Sequence, residues 1–254
     1  MNPALPCRPL RDRIYAMLQN HPLQATLLDP EDETEQLVHK AKLAISQGSD
    51  LIFIGGSSHV NPQKFYHSMK KVKESIQDVP LIIYTANFEM VSDFPDGILY
   101  GQVLNSRSTY YLINNCANAA PLFSQVDIEP LSTAFLIFEP GMTVGYVLDC
   151  HLLPQNKPKL ASSYALMAES LGYSFIYLEA GSGSDIPINP EIISVIRQKI
   201  SIPIIVGGGI KTVAAARNVV ASGADIVVIG TFFEEEDDLS EMISTIHTTK
   251  RRTL

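Results

Sequence analysis

Phe175-Ile176-Tyr177-Leu178-Glu179-Ala180-Gly181-Ser182-Gly183, Ile204-Ile205-Val206-Gly207-Gly208-Gly209 and Ile226-Val227-Val228-Ile229-Gly230-Thr231 decide the architecture. Each is a short apolar run that breaks off at a carboxylate or a glycine. A run with no polar interruption is buried on both faces, which in a water-soluble chain means a parallel strand covered by helices. The intervals between the runs carry helical periodicity, over residues 190–199 and 213–222, and a last amphipathic stretch covers about 238–247. The repeating unit is therefore strand, then helix.

Reading back toward the N-terminus, the same unit recurs. Strands begin near residues 24, 51, 81, 98 and 133. Helical patterns cover 34–47, 62 onward behind Asn61, 108–119 and 159–171. Pro62 suits the first turn of its helix, where a missing N–H costs nothing. In the 34–47 segment Leu37, Ala41, Ala44 and Ile45 share one face. Eight strand–helix units in about 230 residues fit a closed (β/α)8 barrel, the TIM barrel, of class α/β. The interval from Asn87 to Pro95 is too short and irregular for a covering helix, so the third helix of the ring is expected to be missing. An extra helix over residues 8–19, within an extension of residues 1–20, is expected to plug the barrel bottom. No internal repeat or linker divides residues 1–254, which are read as one domain.

Composition narrows the function. The chain has 254 residues, 46% hydrophobic and 18% charged, enough apolar content for a large core. Its 19 Lys and Arg against 27 Asp and Glu give a net charge of −8, which disfavours a nucleic-acid partner. Cys7, Cys116 and Cys150 are too few and too scattered for a disulfide framework or a zinc site. No apolar run reaches the ~18–20 residues of a membrane span, and no secretory leader is legible. A cytoplasmic protein with reduced thiols is the expectation.

In such a barrel, chemistry collects where strands end. The first strand ends in Asp29-Pro30, the second in Gly55-Gly56-Ser57-Ser58, the sixth in Glu179 and its Gly-Ser-Gly loop. The seventh and eighth end in Gly207-Gly208-Gly209 and Gly230-Thr231. Backbone N–H groups freed of side chains, followed by a helix N-terminus, suit a phosphate. Asp29, with Ser57 on the neighbouring strand, offers hard oxygen ligands to Mg²⁺; an ordinary turn is the plainer alternative. Glu179 follows an apolar strand and so faces a pocket, where it can take a hydroxyl proton. Tyr177 lies on the same side by strand alternation and either donates to a ligand or fills the core. Lys70, Lys71 and Lys73 read as a solvated helix face, and Glu234 to Asp238 as an acidic approach to the last helix. The six histidines show no metal-ligand spacing, and only His59 falls near a strand end.

Tyr177-Leu178-Glu179-Ala180-Gly181-Ser182-Gly183, Val206-Gly207-Gly208-Gly209-Ile210 and Gly230-Thr231 resemble the geranylgeranylglyceryl phosphate synthase family, in its second group. The likeness continues through Leu28-Asp29-Pro30, Gly55-Gly56-Ser57, Leu104-Asn105-Ser106-Arg107, Glu139-Pro140-Gly141, Thr143-Val144-Gly145, Asn156-Lys157-Pro158 and Tyr164-Ala165-Leu166. It spans all but about twenty N-terminal residues, on the scale of one such barrel. The resemblance implies a Mg²⁺-dependent prenyltransferase that joins a polyprenyl diphosphate, geranylgeranyl or similar, to sn-glycerol 1-phosphate for lipid biosynthesis. It assigns Asp29 and Ser57 to the metal. It assigns Tyr177, Glu179, Gly181, Ser182, Gly183, Gly207, Gly208, Gly230 and Thr231 to glycerol phosphate. The prenyl tail is expected along residues 84–94, and assembly as a homo-oligomer stays open.

Three departures fall on the diphosphate and prenyl side. Glu31-Asp32 stands where the family has a basic residue, Tyr84-Thr85-Ala86-Asn87 where it has a Phe-Pro-Gly-like turn, and Gly145-Tyr146 where it has Gly-Trp. Two rival readings use the same phosphate pocket. One is a phosphosugar isomerase or aldolase-like barrel, which would need a second acid/base group or a strand-end lysine that the sequence does not offer. The other is a barrel that binds phosphorylated ligands without turnover.

Overall fold

The computed structural model describes residues 9–56, 61–88, 91–230 and 238–251. Eight strands follow in chain order: β1 (Leu23–Leu28), β2 (Leu51–Gly56), β3 (Leu81–Thr85), β4 (Gly97–Tyr100), β5 (Glu129–Ile137), β6 (Phe175–Glu179), β7 (Ile204–Gly207) and β8 (Ile226–Ile229). All pair in parallel with their sequence neighbours, and β8 pairs with β1, which closes the barrel. The helices are α1 (Pro9–Leu18), α2 (Thr34–Ser46), α3 (Pro62–Ser75), α4 (Asn115–Ala119), α5 (Met142–Val147), α6 (Pro158–Ser170), α7 (Pro190–Arg197), α8 (Val213–Ala221) and α9 (Ser240–Thr248).

Strand alternation sorts the apolar residues into two cores. Leu51 and Phe53 of β2, Phe175 and Tyr177 of β6, and Ile226 and Val228 of β8 fill the lumen. Ile52 and Ile54, Ile176 and Leu178, and Val227 and Ile229 pack outward beneath the helices. Both sets are buried, which is why the strands read as unbroken apolar runs. Local signals start the helices as expected. Asn61 and Asn189 each cap a helix with proline in its first turn, accepting from Gln63 N–H and Glu191 N–H, and Thr212 caps α8 through Ala215 N–H.

Helix α1 closes the end of the barrel where the strands begin. Leu10, Ile14 and Leu18 join the lumen core, the Glu129 carboxylate accepts from Leu10 N–H (2.8 Å) and Arg11 N–H (3.2 Å), and Tyr15 donates to the Ser174 carbonyl at 2.6 Å. A carboxylate on the first amides of a helix satisfies donors that have no partner within the helix. At the same end Asp225 takes Arg197 Nη1 at 2.7 Å and an ion pair from Arg251, with Arg197 and Asp225 both buried.

Two elements differ from the sequence reading. Residues 108–119 are not one α-helix: a π-helical turn over Tyr110–Asn114 widens into α4, and a 3₁₀ turn over Ala120–Ser124 holds Pro121. The π turn rotates Asn115 inward, where its Nδ2 donates to Ala86 O at 2.8 Å and its Oδ1 accepts from Phe88 N–H at 3.4 Å. β5 begins four residues earlier than expected, because Glu129 and Pro130 pair with Gly97 and Ile98 despite their polar or ring-constrained character. No helix of four or more residues covers β3 among the described residues, in line with the expected gap. No helix among them is long and apolar enough to cross a membrane.

Candidate active site

A cavity of about 280 Å³ opens at the strand C-terminal end. Alternation builds it. Leu23, Ala25 and Leu27 point inward along β1, so the next position of that parity, Asp29, comes to the mouth. On β6 the inward series Phe175, Tyr177 ends in Glu179; on β3, Ile82 leads to Tyr84. Of the residues singled out in the sequence, Asp29, Tyr177, Glu179, Ser182, Gly183, Gly208 and Gly230 line this one cavity. Ser57, His59 and Thr231 lie outside the described residues.

Glu179 is 5% exposed. Its Oε1 accepts Gly181 N–H at 2.6 Å and its Oε2 accepts the Tyr84 hydroxyl at 3.1 Å. Burial raises its pKa above the usual carboxylate value, while Gly181 N–H, Tyr84 and Tyr177 pull it back. Tyr84 and Tyr177 stack nearly parallel, with ring centres 5.1 Å apart. Burial first, and then Glu179 for Tyr84 and Tyr84 for Tyr177, push both phenols well above 10, so both stay protonated donors. The Tyr177 hydroxyl faces Tyr84 and Glu179 without a well-directed hydrogen bond of its own, an O–H held ready in a buried site.

Glycines make this packing feasible. A side chain on Gly207 would come within 2.3 Å of the Tyr177 hydroxyl. On Gly208, which has φ +82°, it would come within 2.6 Å of Glu179 Oε1 and 2.7 Å of Gly181 N. These two positions thus make room for the tyrosine–glutamate pair, a role beyond the phosphate cradle read from the sequence. Gly181 spends its N–H on Glu179.

Asp29 is half-buried. Its Oδ1 accepts Glu31 N–H at 2.9 Å, and Oδ2 lies 3.9 Å from where a Gly56 Cβ would stand. Burial raises its pKa, and the charges of Glu31 and Asp32 add to the rise; the Glu31 N–H and Lys40 oppose it. Lys40 itself is hydrogen-bonded to Asp32 at 2.7 Å. Asp29 is therefore an oxygen donor with one atom committed to the backbone and the other turned toward β2, in locally acidic surroundings. That donor set fits a hard divalent cation whose remaining ligands come from water and substrate phosphates.

The other arm of the cavity is apolar, lined by Phe88, Val103, Phe135, Ile137, Val144 and Leu148. Phe88 is buried against Tyr100, 5.1 Å between ring centres. Phe94, expected on the same wall, instead lies under Lys70 Nζ of α3, 5.7 Å away, and is not part of the lining. Sequence reasoning placed Tyr84 on the prenyl groove but missed its contact with Glu179, and it overlooked Asn115 and Lys211. That lysine stands four residues beyond β7 on the cavity rim, in an ion pair with Asp185 at 2.6 Å.

A closed parallel barrel with an enclosed carboxylate, two protonated phenols and a polar mouth leading into an apolar arm has the layout of a barrel enzyme with its site at the strand C-terminal rim. The model of the PcrB family matches residues 16–250. Geranylgeranylglyceryl phosphate synthase of Methanosarcina barkeri is 40% identical over 230 residues, 90% of this chain and 93% of that protein. The enzyme of the same name from Methanobrevibacter smithii is 40% identical over 239 residues, covering 93% and 95%. The crystal structure of (S)-3-O-geranylgeranylglyceryl phosphate synthase from Thermoplasma acidophilum with its substrate sn-glycerol-1-phosphate superimposes with a TM-score of 0.90. It is 33% identical, over 94% of this chain and 98% of that one. The chain belongs to the PcrB family, and it is a prenyl-transferring enzyme resembling the geranylgeranylglyceryl phosphate synthases.

Proposed function

We propose that the protein transfers a polyprenyl group from its diphosphate to one of the two free hydroxyls of sn-glycerol 1-phosphate, the primary one, in a Mg²⁺-dependent reaction that forms an ether. The observation that carries this reading is the meeting, in one cavity, of a buried Glu179 and a polar glycine-walled mouth with an apolar arm. The acceptor's phosphate is assigned to the loops after β6, β7 and β8, and its hydroxyl to Glu179. Tyr84 holds the carboxylate's other oxygen, so that Glu179 points one way only. The acceptor oxygen attacks the allylic carbon, the bond from that carbon to the diphosphate oxygen breaks, and the hydroxyl proton passes to Glu179. Pyrophosphate is the leaving group.

Asp29, with Ser57 as the second expected ligand, would hold Mg²⁺. When bound, the ion supplies charge neutralisation for the diphosphate oxygens as the bond breaks. The apolar arm past Phe88 and Phe135 receives the tail, and its lining excludes water from the reacting carbon.

Incubation with Mg²⁺, labelled sn-glycerol 1-phosphate and a series of prenyl diphosphates tests the reading. An ether-linked prenylglyceryl phosphate is the expected product, with sn-glycerol 3-phosphate a poor acceptor. Binding of the acceptor without product from any donor would mean a binding protein. Label released into sugar-phosphate isomers would mean an isomerase.

A further inference from the structure

At the closed end of the barrel, three residues from distant parts of the chain converge. His21 precedes β1, Asp50 precedes β2, and His247 sits in the last turn of α9. Their ligand-capable atoms all lie within 4.8 Å of one another. Asp50 Oδ2 is 2.8 Å from His247 Nε2, and Asp50 Oδ1 is 4.0 Å from His21 Nε2. The two imidazole rings lie with centres 4.3 Å apart, tilted by 44°. We propose that His21, Asp50 and His247 form a binding site for a zinc-class divalent transition-metal ion, tying the C-terminal helix to the start of the barrel.

The orientation of His21 is the telling feature. Its Nδ1 lies 2.9 Å from the Pro22 carbonyl oxygen. A carbonyl only accepts, so Nδ1 carries a hydrogen, which leaves Nε2 as the ring atom turned to the cluster and available as a ligand. Nε2 lies 4.0 Å from a carboxylate oxygen, beyond hydrogen-bond range. A cation placed between them resolves the arrangement. An ordinary hydrogen bond joins His247 and Asp50, whereas the 4.0 Å between His21 and Asp50 is a separation that a bridging cation fits.

The supporting contacts are those that hold metal ligands in place. The Pro22 carbonyl fixes the His21 ring, and Gln24 N–H fixes the Asp50 carboxylate through Oδ2 at 2.8 Å. Tetrahedral zinc with bonds of about 2.0–2.2 Å sets its ligand atoms about 3.3 Å apart, so shifts of about 1 Å complete the set. Two imidazoles and one carboxylate select zinc, cobalt or nickel over Mg²⁺, which prefers oxygen alone. The side chains are 33%, 11% and 25% exposed in chain order, which leaves a route in and room for a water ligand. Asp29, at the opposite end of β1, belongs to a different site.

The test uses the tag-free full-length chain, stripped with chelator and kept in excess Mg²⁺ so that Asp29 is saturated. Titration with ZnCl₂ is expected to show one saturable equivalent at micromolar affinity or better. The unfolding midpoint should rise by at least about 5 °C at a hundredfold excess over the dissociation constant. His21→Ala and His247→Gln should each weaken Zn²⁺ at least about tenfold, whereas Asp29→Ala should leave it unchanged. Glutamine keeps a donor for Asp50, so that variant separates metal binding from folding. CoCl₂ added to the unaltered protein gives a reading that depends on no variant: strong visible bands of a four- or five-coordinate site are expected. Absence of saturable Zn²⁺ binding, equal affinity in both histidine variants, or a pale six-coordinate Co²⁺ spectrum would each overturn the proposal.

Discussion

The two ends of the barrel treat negative charge in opposite ways. At the closed end, Glu129 meets the first amides of α1, Asp50 meets His247 and Gln24 N–H, and Asp225 meets two arginines. At the open end, Asp29 and Glu179 take their hydrogen bonds from N–H and O–H groups, and among the described residues neither forms an ion pair. Apart from the His21–Asp50 contact, the closed end is electrostatically finished by the chain itself. The open end carries carboxylates that burial penalises and that a cationic or hydroxylic ligand would complete. Stability and chemistry are thus assigned to opposite rims of one set of strands.

If this division holds, changes at the open end cost turnover and spare the fold. Asp29→Ala should lower kcat by about 10³-fold or more with an unchanged unfolding midpoint, because it removes charge stabilisation at the leaving group. Steady-state kinetics at saturating Mg²⁺ with thermal unfolding alongside decides it; near-normal turnover would remove the metal role.

Glu179→Gln should cost about 10²–10⁴-fold in kcat with the KM for glycerol phosphate nearly kept, since the amide still bonds a hydroxyl but cannot take its proton. The pH profile sharpens this. Burial raises the folded pKa of Glu179 above 4.5, so as pH falls the base is lost early and the acid limb lies above 4.5. Tyr84→Phe removes a hydrogen bond that favours the ionised form, and should move that limb to still higher pH. An unmoved limb would mean that another group sets it.

The closed end should behave in the converse way. Asp225→Asn leaves Arg197 buried and only partly matched, which typically costs about 3–5 kcal/mol. Denaturant unfolding should show that loss, while kcat per folded molecule stays constant. The smallest effect is expected in the apolar arm. Phe88→Ala should shift preference toward longer donors by about tenfold, the worth of one or two further tail carbons seated at about 1 kcal/mol each. The KM for glycerol phosphate should not move. Phe94→Ala, outside the lining, is the matched control.

How much was legible follows from which contacts are local. β6, β7 and β8 stood out because both faces are buried, so no polar residue interrupts them. Asp29 and Glu179 stood out because a strand end in this architecture is a position with meaning. Tyr84 was equally readable, two residues beyond Ile82 on the same side, but it was read as the start of the prenyl groove and not as a partner of Glu179. Asn115 was not readable, since its role is to hold Ala86 and Phe88 across a gap in the helical ring. The π turn that delivers it defeats a period of 3.6. The histidine cluster was hidden for the same reason: spacing rules find ligands on one element, and His21, Asp50 and His247 come from three.

The plug formed by α1 has a kinetic consequence. Leu10, Ile14 and Leu18 cap the packed lumen at one end, so the cavity at the other is a cup and not a tunnel. Traffic then runs through the rim at the strand C-terminal ends, and whatever binds deeper must arrive first and depart last. On the proposed reaction an ordered addition is expected, the ligand seated on Glu179 first and the occupant of the arm second, which product-inhibition kinetics would show.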